Sequence, residues 1–408
     1  MERYSLLHRK SPMPRSLLAI SFADLIRGFT RYPLWILLSI YLLEARRLTY
    51  IDIGVFFLLQ SVITVPFSLV LGKHMDLQGR RKLAIILPAI LIFAFFWLFL
   101  CVRLDLSIFM LFAAMVSTTI LSQIQYNLYN TILTDMSTES ARVGFFSTVR
   151  VFSNAGIGAG LIFSGLTSLV SPSLYFIAPI IGSMAEVFIV ARYIPETIRH
   201  SDVSATLREH KDRISNVRVL FAVSMILALS ALVSNMYESP MLPLYLTSRY
   251  HYSTILITGL YAVNTMIVIL FQFRINALGR KFGEVTAYSA GLLFYAFSYF
   301  IFGLTGAYVL LILNVVLLTA GENMTAQFSQ VFISRLAPEG MRGRYFGFSS
   351  AVFSVIFPLS PFLGTGLLEL FHATPMLLWG LVAGMCFTMA IVSRILGKII
   401  PKAAYSAP

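Results

Sequence analysis

Three ionisable side chains, Asp24, Arg27 and Arg31, lie inside the apolar run Ser16–Leu43. A run of roughly 20 or more apolar residues is long enough to cross a bilayer as one helix. Each charged group in such a segment costs roughly 2.5–3.5 kcal/mol on insertion scales. Their spacing of three and then four residues places all three on one helical face. Such a face needs partners or water, so this span is expected to line a polar cavity between helices. Two further acids, Glu238 and Glu322, sit in later apolar runs. A carboxyl group in a low-dielectric cavity favours its protonated form, which makes Asp24, Glu238 and Glu322 the candidates for carrying a proton. Asp24 has the alternative of simply pairing with Arg27 on its own helix. Glu322 has no such neighbour within its own run and is the better candidate for titration.

The same residues leave the sign of a bound solute open. Guanidinium groups bind carboxylate and phosphate readily, and two arginines against one aspartate leave surplus positive charge in the first span. Glu238 and Glu322 would offset it and suit lipophilic cations instead. Polar stripes mark the other spans expected to face the cavity. The fourth carries Thr118, Ser122, Gln125, Tyr126, Tyr129 and Asn130, and the seventh Asn235, Glu238, Met241 and Tyr245 at helical spacing. The eighth adds Asn264 and Gln272, and the tenth Glu322, Asn323, Gln327 and Gln330. The amides have an equal reading as hydrogen-bonding glue between helices.

The chain that holds these residues is 58% hydrophobic and 12% charged, with a mean hydropathy of +0.81. That composition excludes an ordinary soluble globule and gives an all-α, polytopic membrane protein. Apolar runs predict twelve transmembrane helices, near 17–42, 53–72, 83–101, 107–133, 146–168, 174–194, 219–246, 254–273, 284–304, 308–332, 348–371 and 375–396. The net charge of +13 sits almost wholly on one side of these spans. Lys73, Arg80, Arg81, Lys82, Arg142, Arg150, Arg274, Arg280, Arg342 and Arg344 are among that set, against only Arg46, Arg47, Arg103 and Arg249 opposite. The positive-inside rule then places both termini in the cytoplasm of a multi-pass cell-membrane protein, and the charge reports topology instead of a nucleic-acid partner. The first apolar run is too long and too charged for a cleavable signal peptide. A polar stretch over 195–218 is expected to be a cytoplasmic linker between an N-terminal bundle, 1–194, and a C-terminal bundle, 219–408, of six helices each. Its interior suits either a surface-lying amphipathic helix or a solvated loop.

An internal repeat appears at an offset of 200 residues. Gly79-Arg80-Arg81 is echoed by Gly279-Arg280-Lys281, and Arg142 with Phe146 by Arg342 with Phe346. Duplicated six-helix halves imply a pseudo-twofold along the membrane normal with a site where the halves meet. The loop Gly72-Lys73-His74-Met75-Asp76-Leu77-Gln78-Gly79-Arg80-Arg81-Lys82 resembles the loop 2–3 signature of the major facilitator superfamily, G-x-x-x-D-R-x-G-R-R. Pro195-Glu196-Thr197 resembles the motif closing the sixth helix there. Gly321-Glu322-Asn323-Met324 and Arg342-Gly343-Arg344-Tyr345-Phe346-Gly347 resemble the tenth helix and the following loop in its drug-efflux, drug:proton antiporter branch. Leu77 stands where the family usually has arginine. The Gly-Pro of the antiporter's fifth helix is absent from Asn154–Gly160, and the fourth helix lacks the arginine of many proton-coupled drug antiporters.

The resemblance implies the major facilitator fold, with a cavity lined by the first and fourth helices of each half. It implies a conformational role for the loop residues Gly72, Asp76, Gly79, Arg80 and Arg81, which have a plainer reading as a positive-inside anchor. It also makes the sixth helix peripheral, which reads Glu186 as a local packing feature. Gly156 and Gly160 form a small-xxx-small pair suited to close helix packing. The substrate and proton cavity is therefore assigned Asp24, Arg27, Arg31, Gln125, Tyr126, Tyr129, Asn235, Glu238, Asn264, Glu322 and Asn323.

The remaining chemistry is excluded class by class. The six histidines, His8, His74, His200, His210, His251 and His372, show no ligand spacing, so no metal site is expected. Cys101 and Cys386 read as packing residues, and no Gly-Lys-Ser/Thr phosphate cradle supports ATP-driven pumping. No cofactor and no enzyme activity are expected. The expected function is a secondary active transporter working by alternating access, coupled to protons and exporting small hydrophobic or drug-like solutes as a monomer in the lipid bilayer. The alternatives are a proton-coupled symporter or uniporter for an organic anion or other metabolite, and, from another class, a polytopic membrane enzyme or sensor.

Overall fold

The computed structural model describes residues 14–75, 79–137, 142–196, 217–238, 240–337 and 342–400. Helices α1 (Arg15–Glu44), α2 (Tyr50–Met75), α3 (Arg80–Arg103), α4 (Ile108–Met136), α5 (Arg142–Ser168) and α6 (Ala178–Tyr193) come first. They are followed by α7 (Val217–Ser234), α8 (Met241–Tyr250), α9 (Thr254–Lys281), α10 (Glu284–Leu304), α11 (Tyr308–Leu336), α12 (Arg342–Ile356), α13 (Leu359–Phe371), α14 (Pro375–Val392) and the short α15 (Leu396–Ile399). Among the described residues, ten helical stretches are long and apolar enough to cross a membrane. Helix α1 is not one of them. Its 30 residues span about 45 Å, ample length, but Asp24, Arg27 and Arg31 interrupt its apolar run. In lipid a helix satisfies its own backbone polar groups, which is why apolar runs of this length become helices and not strands.

Two predicted spans are broken where proline removes a backbone donor. The seventh stops at Ser234, turns through residues 235–238 and restarts as α8 after Pro240, so Asn235 and Glu238 lie in a turn and not at helical spacing. The eleventh breaks between α12 and α13 at Pro358, which precedes Leu359. Gly158 stands 200 residues earlier, and α5 runs through it unbroken. The repeat is otherwise carried by the helices themselves. Tyr308 and Leu336, the ends of α11, lie 200 residues after Ile108 and Met136, the ends of α4, and Arg342 opens α12 as Arg142 opens α5.

The chain divides into two compact units whose limits run through helices. The first takes its described residues from Met1–Pro33, Pro66–Gly160 and Ser173–Ser204, and the second from Leu34–Val65, Leu161–Pro172 and Ala205–Pro408. The expected division at 195–218 is thus joined by crossings within α1, α2 and α5. The first two fall at the in-helix prolines Pro33 and Pro66, where the i→i−4 hydrogen bond is missing.

In the first unit, α3 packs on α4 and α6, and Leu17, Ile20, Ala84, Ile124, Leu128 and Ile132 form a buried core. Helices α1 and α5 approach closely: a Cβ at Gly28 would meet the Ser153 carbonyl oxygen at 2.6 Å, and one at Gly156 or Gly160 would collide with the Leu25 or Phe29 backbone. In the second unit, α10 packs on α11 and α14 around Leu227, Tyr288, Leu292, Phe328, Phe332 and Ala390.

Candidate functional site

The first unit holds a buried network built on α1. Arg31 donates to Gln125 Oε1 of α4 at 2.6 Å, to Glu186 Oε1 of α6 at 2.7 Å and to Ser183 Oγ of α6 at 3.3 Å. Gln125 in turn donates to Glu186 Oε2 at 2.6 Å and to the Tyr129 hydroxyl at 2.9 Å. Gln125, Ser183 and Glu186 are wholly buried, and the Arg31 guanidinium lies 5.3 Å from the Phe95 ring centroid. One turn earlier on α1, Asp24 and Arg27 form an ion pair, with Arg27 over the rings of Tyr126 and Tyr129 at 5.1 and 5.7 Å. Tyr126 is 46% exposed, so this end of the network is its open end. Arg27 Nη1 and Arg31 Nε are buried and have no hydrogen-bond partner among the described residues.

Glu186, expected to be a local packing feature, is instead the buried counter-ion of Arg31. Its place as the Arg31 counter-ion removes the surplus positive charge expected of the first span, because two carboxylates now balance two guanidiniums. The signal was available: an acid in an apolar run needs a cation of its own. What hid it was the peripheral position that the family pattern gives the sixth helix.

The second unit holds a different arrangement. Glu322 of α11 accepts at Oε2 from the Tyr237 hydroxyl and from Asn264 Nδ2 of α9, both at 2.9 Å. Asn264 Nδ2 also reaches Thr319 Oγ1 at 2.9 Å. Glu322 Oε1 has no hydrogen-bond or ion-pair partner among the described residues, and no guanidinium or ammonium group there pairs with this carboxylate. Tyr237 and Asn264 also line, with Tyr261, Leu260 and Leu318, a cavity with room for about one water. Aromatic rings pack around it: Tyr237 stacks on Tyr261 at 6.2 Å and lies 6.1 Å from Tyr295, which stacks on Tyr299 at 6.0 Å.

Not every predicted residue joins these clusters. Asn235 bonds back to the Ala231 carbonyl at 2.8 Å, and Glu238 is exposed in the turn. Asn323 is buried, its Nδ2 has no hydrogen-bond partner among the described residues, and it does not bond to Glu322 there. In the loop motif, Asp76 lies outside the described residues, and Gly72 is in the last turns of α2. Gly79 takes the left-handed φ of 85° that opens α3. The first amides of α3 find their acceptor in Glu196, which takes Arg80 N–H and Arg81 N–H at 3.0 and 3.2 Å, while the Arg80 side chain pairs with Asp135 of α4. No group of three or more potential metal ligands occurs among the described residues.

A family profile for the Major Facilitator Superfamily matches this chain twice, over residues 20–285 and 239–404. The chain belongs to the major facilitator superfamily. It is therefore a multi-pass membrane transporter and not an enzyme. Solved structures agree in fold. A POT family transporter in complex with a thioalcohol conjugated peptide matches with a TM-score of 0.76 and 14% identity, over 96% of this chain and 99% of that one. A nucleoside transporter gives 0.73 and 15%, over 93% and 99%, and the human organic anion transporter 0.63 and 14%, over 93% and 99%. At such identities the likeness carries fold alone. A Na(+), Li(+), K(+)/H(+) antiporter of Planococcus maritimus is 33% identical over 96 residues, 24% of this chain and 23% of that protein. The match thus spans about a quarter of that relative's length.

Proposed function

We propose that this chain exchanges protons for a small solute by alternating access, exporting hydrophobic or drug-like molecules that are neutral or cationic. The observation that carries this reading is the Glu322 carboxylate. It is held at one oxygen by two neutral donors, open at the other, and without a positive partner among the described residues. Such a group can take a proton or a monocation but not both, which is the elementary requirement for exchange. Arg27 and Arg31 are each matched by a carboxylate, which weighs against an organic anion as cargo. The open Asp24–Arg27 end beside Tyr126 and the Glu322 cluster are the contacts we assign to solute and proton respectively. Counting α1 and α2 as crossings, with α7–α8 and α12–α13 one each, gives twelve, and the basic loops then put both termini in the cytoplasm.

The experiment is uptake into proteoliposomes, with and without an imposed proton gradient, of a lipophilic monocation and of a neutral drug-like solute. Gradient-dependent flux of the wild type, lost in Glu322→Gln, is the expected result. Flux of that variant with unchanged gradient dependence would remove Glu322 from coupling. A second reading, exchange of an inorganic monovalent cation for protons, is favoured by the partial likeness to the Planococcus antiporter. Sodium- or potassium-driven proton movement in the same vesicles would establish it.

A further inference from the structure

The break in the seventh span sits beside the Glu322 carboxylate. Two tyrosine hydroxyls hold it open, and a third reaches the carboxylate. In a continuous helix the Tyr237 amide would donate to the Val233 carbonyl. Here it donates to the Tyr299 hydroxyl of α10 at 3.3 Å. That hydroxyl passes its own hydrogen to the Ser234 carbonyl at 2.6 Å, so one side chain serves both lips of the break. The Tyr261 hydroxyl of α9 donates to the Tyr237 carbonyl at 2.5 Å. All three tyrosines are buried, where backbone groups released from a helix must find partners. Pro240 accounts for a missing donor, but it satisfies none of the groups left behind.

The first half lacks all three tyrosines. The positions 200 residues before Tyr237, Tyr261 and Tyr299 are Leu37, Ser61 and Phe99. The Ser61 hydroxyl is turned back on the Phe57 carbonyl of its own helix at 2.9 Å. Helix α1 runs through residues 34–40 without a break, and the position equivalent to Glu322 is Ser122. The helix is thus interrupted in the half that has the carboxylate and continuous in the half that has none.

The interruption leaves Tyr237 fixed at its amide, its carbonyl and its ring, which stacks on Tyr261 and lies against Tyr295. From that position its hydroxyl donates to Glu322 Oε2. Hydrogen bonds to an ionised carboxylate favour that form, and here they come from Tyr237 and Asn264, both neutral. The titratable groups on the surrounding elements are Tyr237 and Glu238 of the turn, Tyr261 of α9, Tyr295 and Tyr299 of α10, and Cys386 of α14.

We infer that Tyr299 and Tyr261 are positioning residues for the proton carrier: their hydroxyls hold the seventh span unwound at residues 235–238 so that Tyr237 is aimed at Glu322. They touch neither the carboxylate nor the solute, and act through Tyr237. The inference rests on Glu322 as the proton site.

The test is a pH titration of the full chain in lipid, followed by infrared difference spectroscopy of the protonated carboxyl stretch. The Glu322 band is the one lost in Glu322→Gln and kept in Glu238→Gln, so no cargo is needed. Tyr237→Phe is expected to move the midpoint of that band upward by about one pH unit, a tenfold gain in proton affinity from losing one donor to the charged form. Tyr299→Phe, which keeps the ring stacked between Tyr295 and Trp379, should move it the same way by roughly threefold or more. Tyr261→Phe frees only the Tyr237 carbonyl and repeats the test with a smaller disturbance. Added to Tyr237→Phe, either change should shift the midpoint by less than about twofold, because residues that act through a third are not additive with it. Tyr288→Phe, at a buried tyrosine of the core around Phe332, should leave it in place. Midpoints of Tyr299→Phe and Tyr261→Phe equal to that of the parent overturn the positioning role, and so do fully additive shifts in the double variants. A parent protein whose Glu322 band never titrates overturns the proposed function first, before any tyrosine is changed, and the inference falls with it.

Discussion

Set side by side at the 200-residue offset, the two halves of the repeat solve the same packing problem with opposite chemistry. Arg31, Gln125, Ser183 and Glu186 in the first correspond to Ala231, Thr325, Ala383 and Cys386 in the second. Where the Arg31 guanidinium lies over Phe95, the equivalent ring is Tyr295, stacked on Tyr299, which stacks on Trp379 at 5.7 Å. One half is tied together by a closed set of charges. The other is filled by rings and small side chains, and leaves its carboxylate, Glu322, outside the tie. The helices are kept at the offset while the side chains differ, so a closed set of charges and a carboxylate held by neutral donors occupy equivalent frames.

The comparison breaks most visibly by removing one member of the charged set. Glu186→Ala is expected to cost about 3–5 kcal/mol, the range for stranding a buried partner, whereas Cys386→Ala at the equivalent site should cost less than about 1.5 kcal/mol. Thermal unfolding in detergent micelles measures both, and equal losses would show that the two sites are not held differently. Next in size is the paired replacement Arg31→Met with Glu186→Leu, which removes both charges at once. It should recover most of the stability lost in Glu186→Ala. A loss equal to that of the single variant would mean that the network, and not the balance of its charges, holds α1 to α6.

Smaller again is Glu322→Gln, which keeps an acceptor for Tyr237 and Asn264. A shift in unfolding free energy under about 1 kcal/mol is expected, and a larger one would make Glu322 structural like Glu186. Smallest are the ion pairs at the basic ends of the helices. Arg80 of α3 pairs with Asp135 of α4, and Glu284 of α10 with Arg335 of α11 at 2.5 Å. Asp135 and Arg335 are 200 residues apart, so the link is kept with its polarity reversed. Breaking either by Asp135→Asn or Glu284→Gln should cost only about 0.2–1 kcal/mol at these partly exposed positions, read as a shift in melting temperature.

Much of this was legible in the chain, and the rest was hidden for physical reasons. Apolar run lengths give the helices, because in lipid length and hydropathy settle the backbone. The face carrying Asp24, Arg27 and Arg31 follows from spacing alone. The partner of Arg31 did not, because pairing across 155 residues depends on which helices touch: an acid in an apolar run announces that it needs a cation, not which one. The break at Pro358 was concealed by hydropathy that stays high through it, and the one at residues 235–238 by the three-residue spacing of Asn235 and Glu238, which reads as one polar face of a continuous helix. The crossing of α1 and α2 between compact units at Pro33 and Pro66 shows in sequence only as two prolines in apolar runs, which kink a helix without ending it.

The tie between Arg31 and Glu186 has a consequence for how the protein is made. A ribosome delivers α1 to the membrane long before α6 exists, so the arginine enters the bilayer with its counter-ion still unsynthesised. Nascent chains stopped short of residue 186 should therefore keep α1 only loosely inserted, open to slipping or to retention by the insertion machinery. Emergence of the sixth helix would be the step that commits the first one to its place.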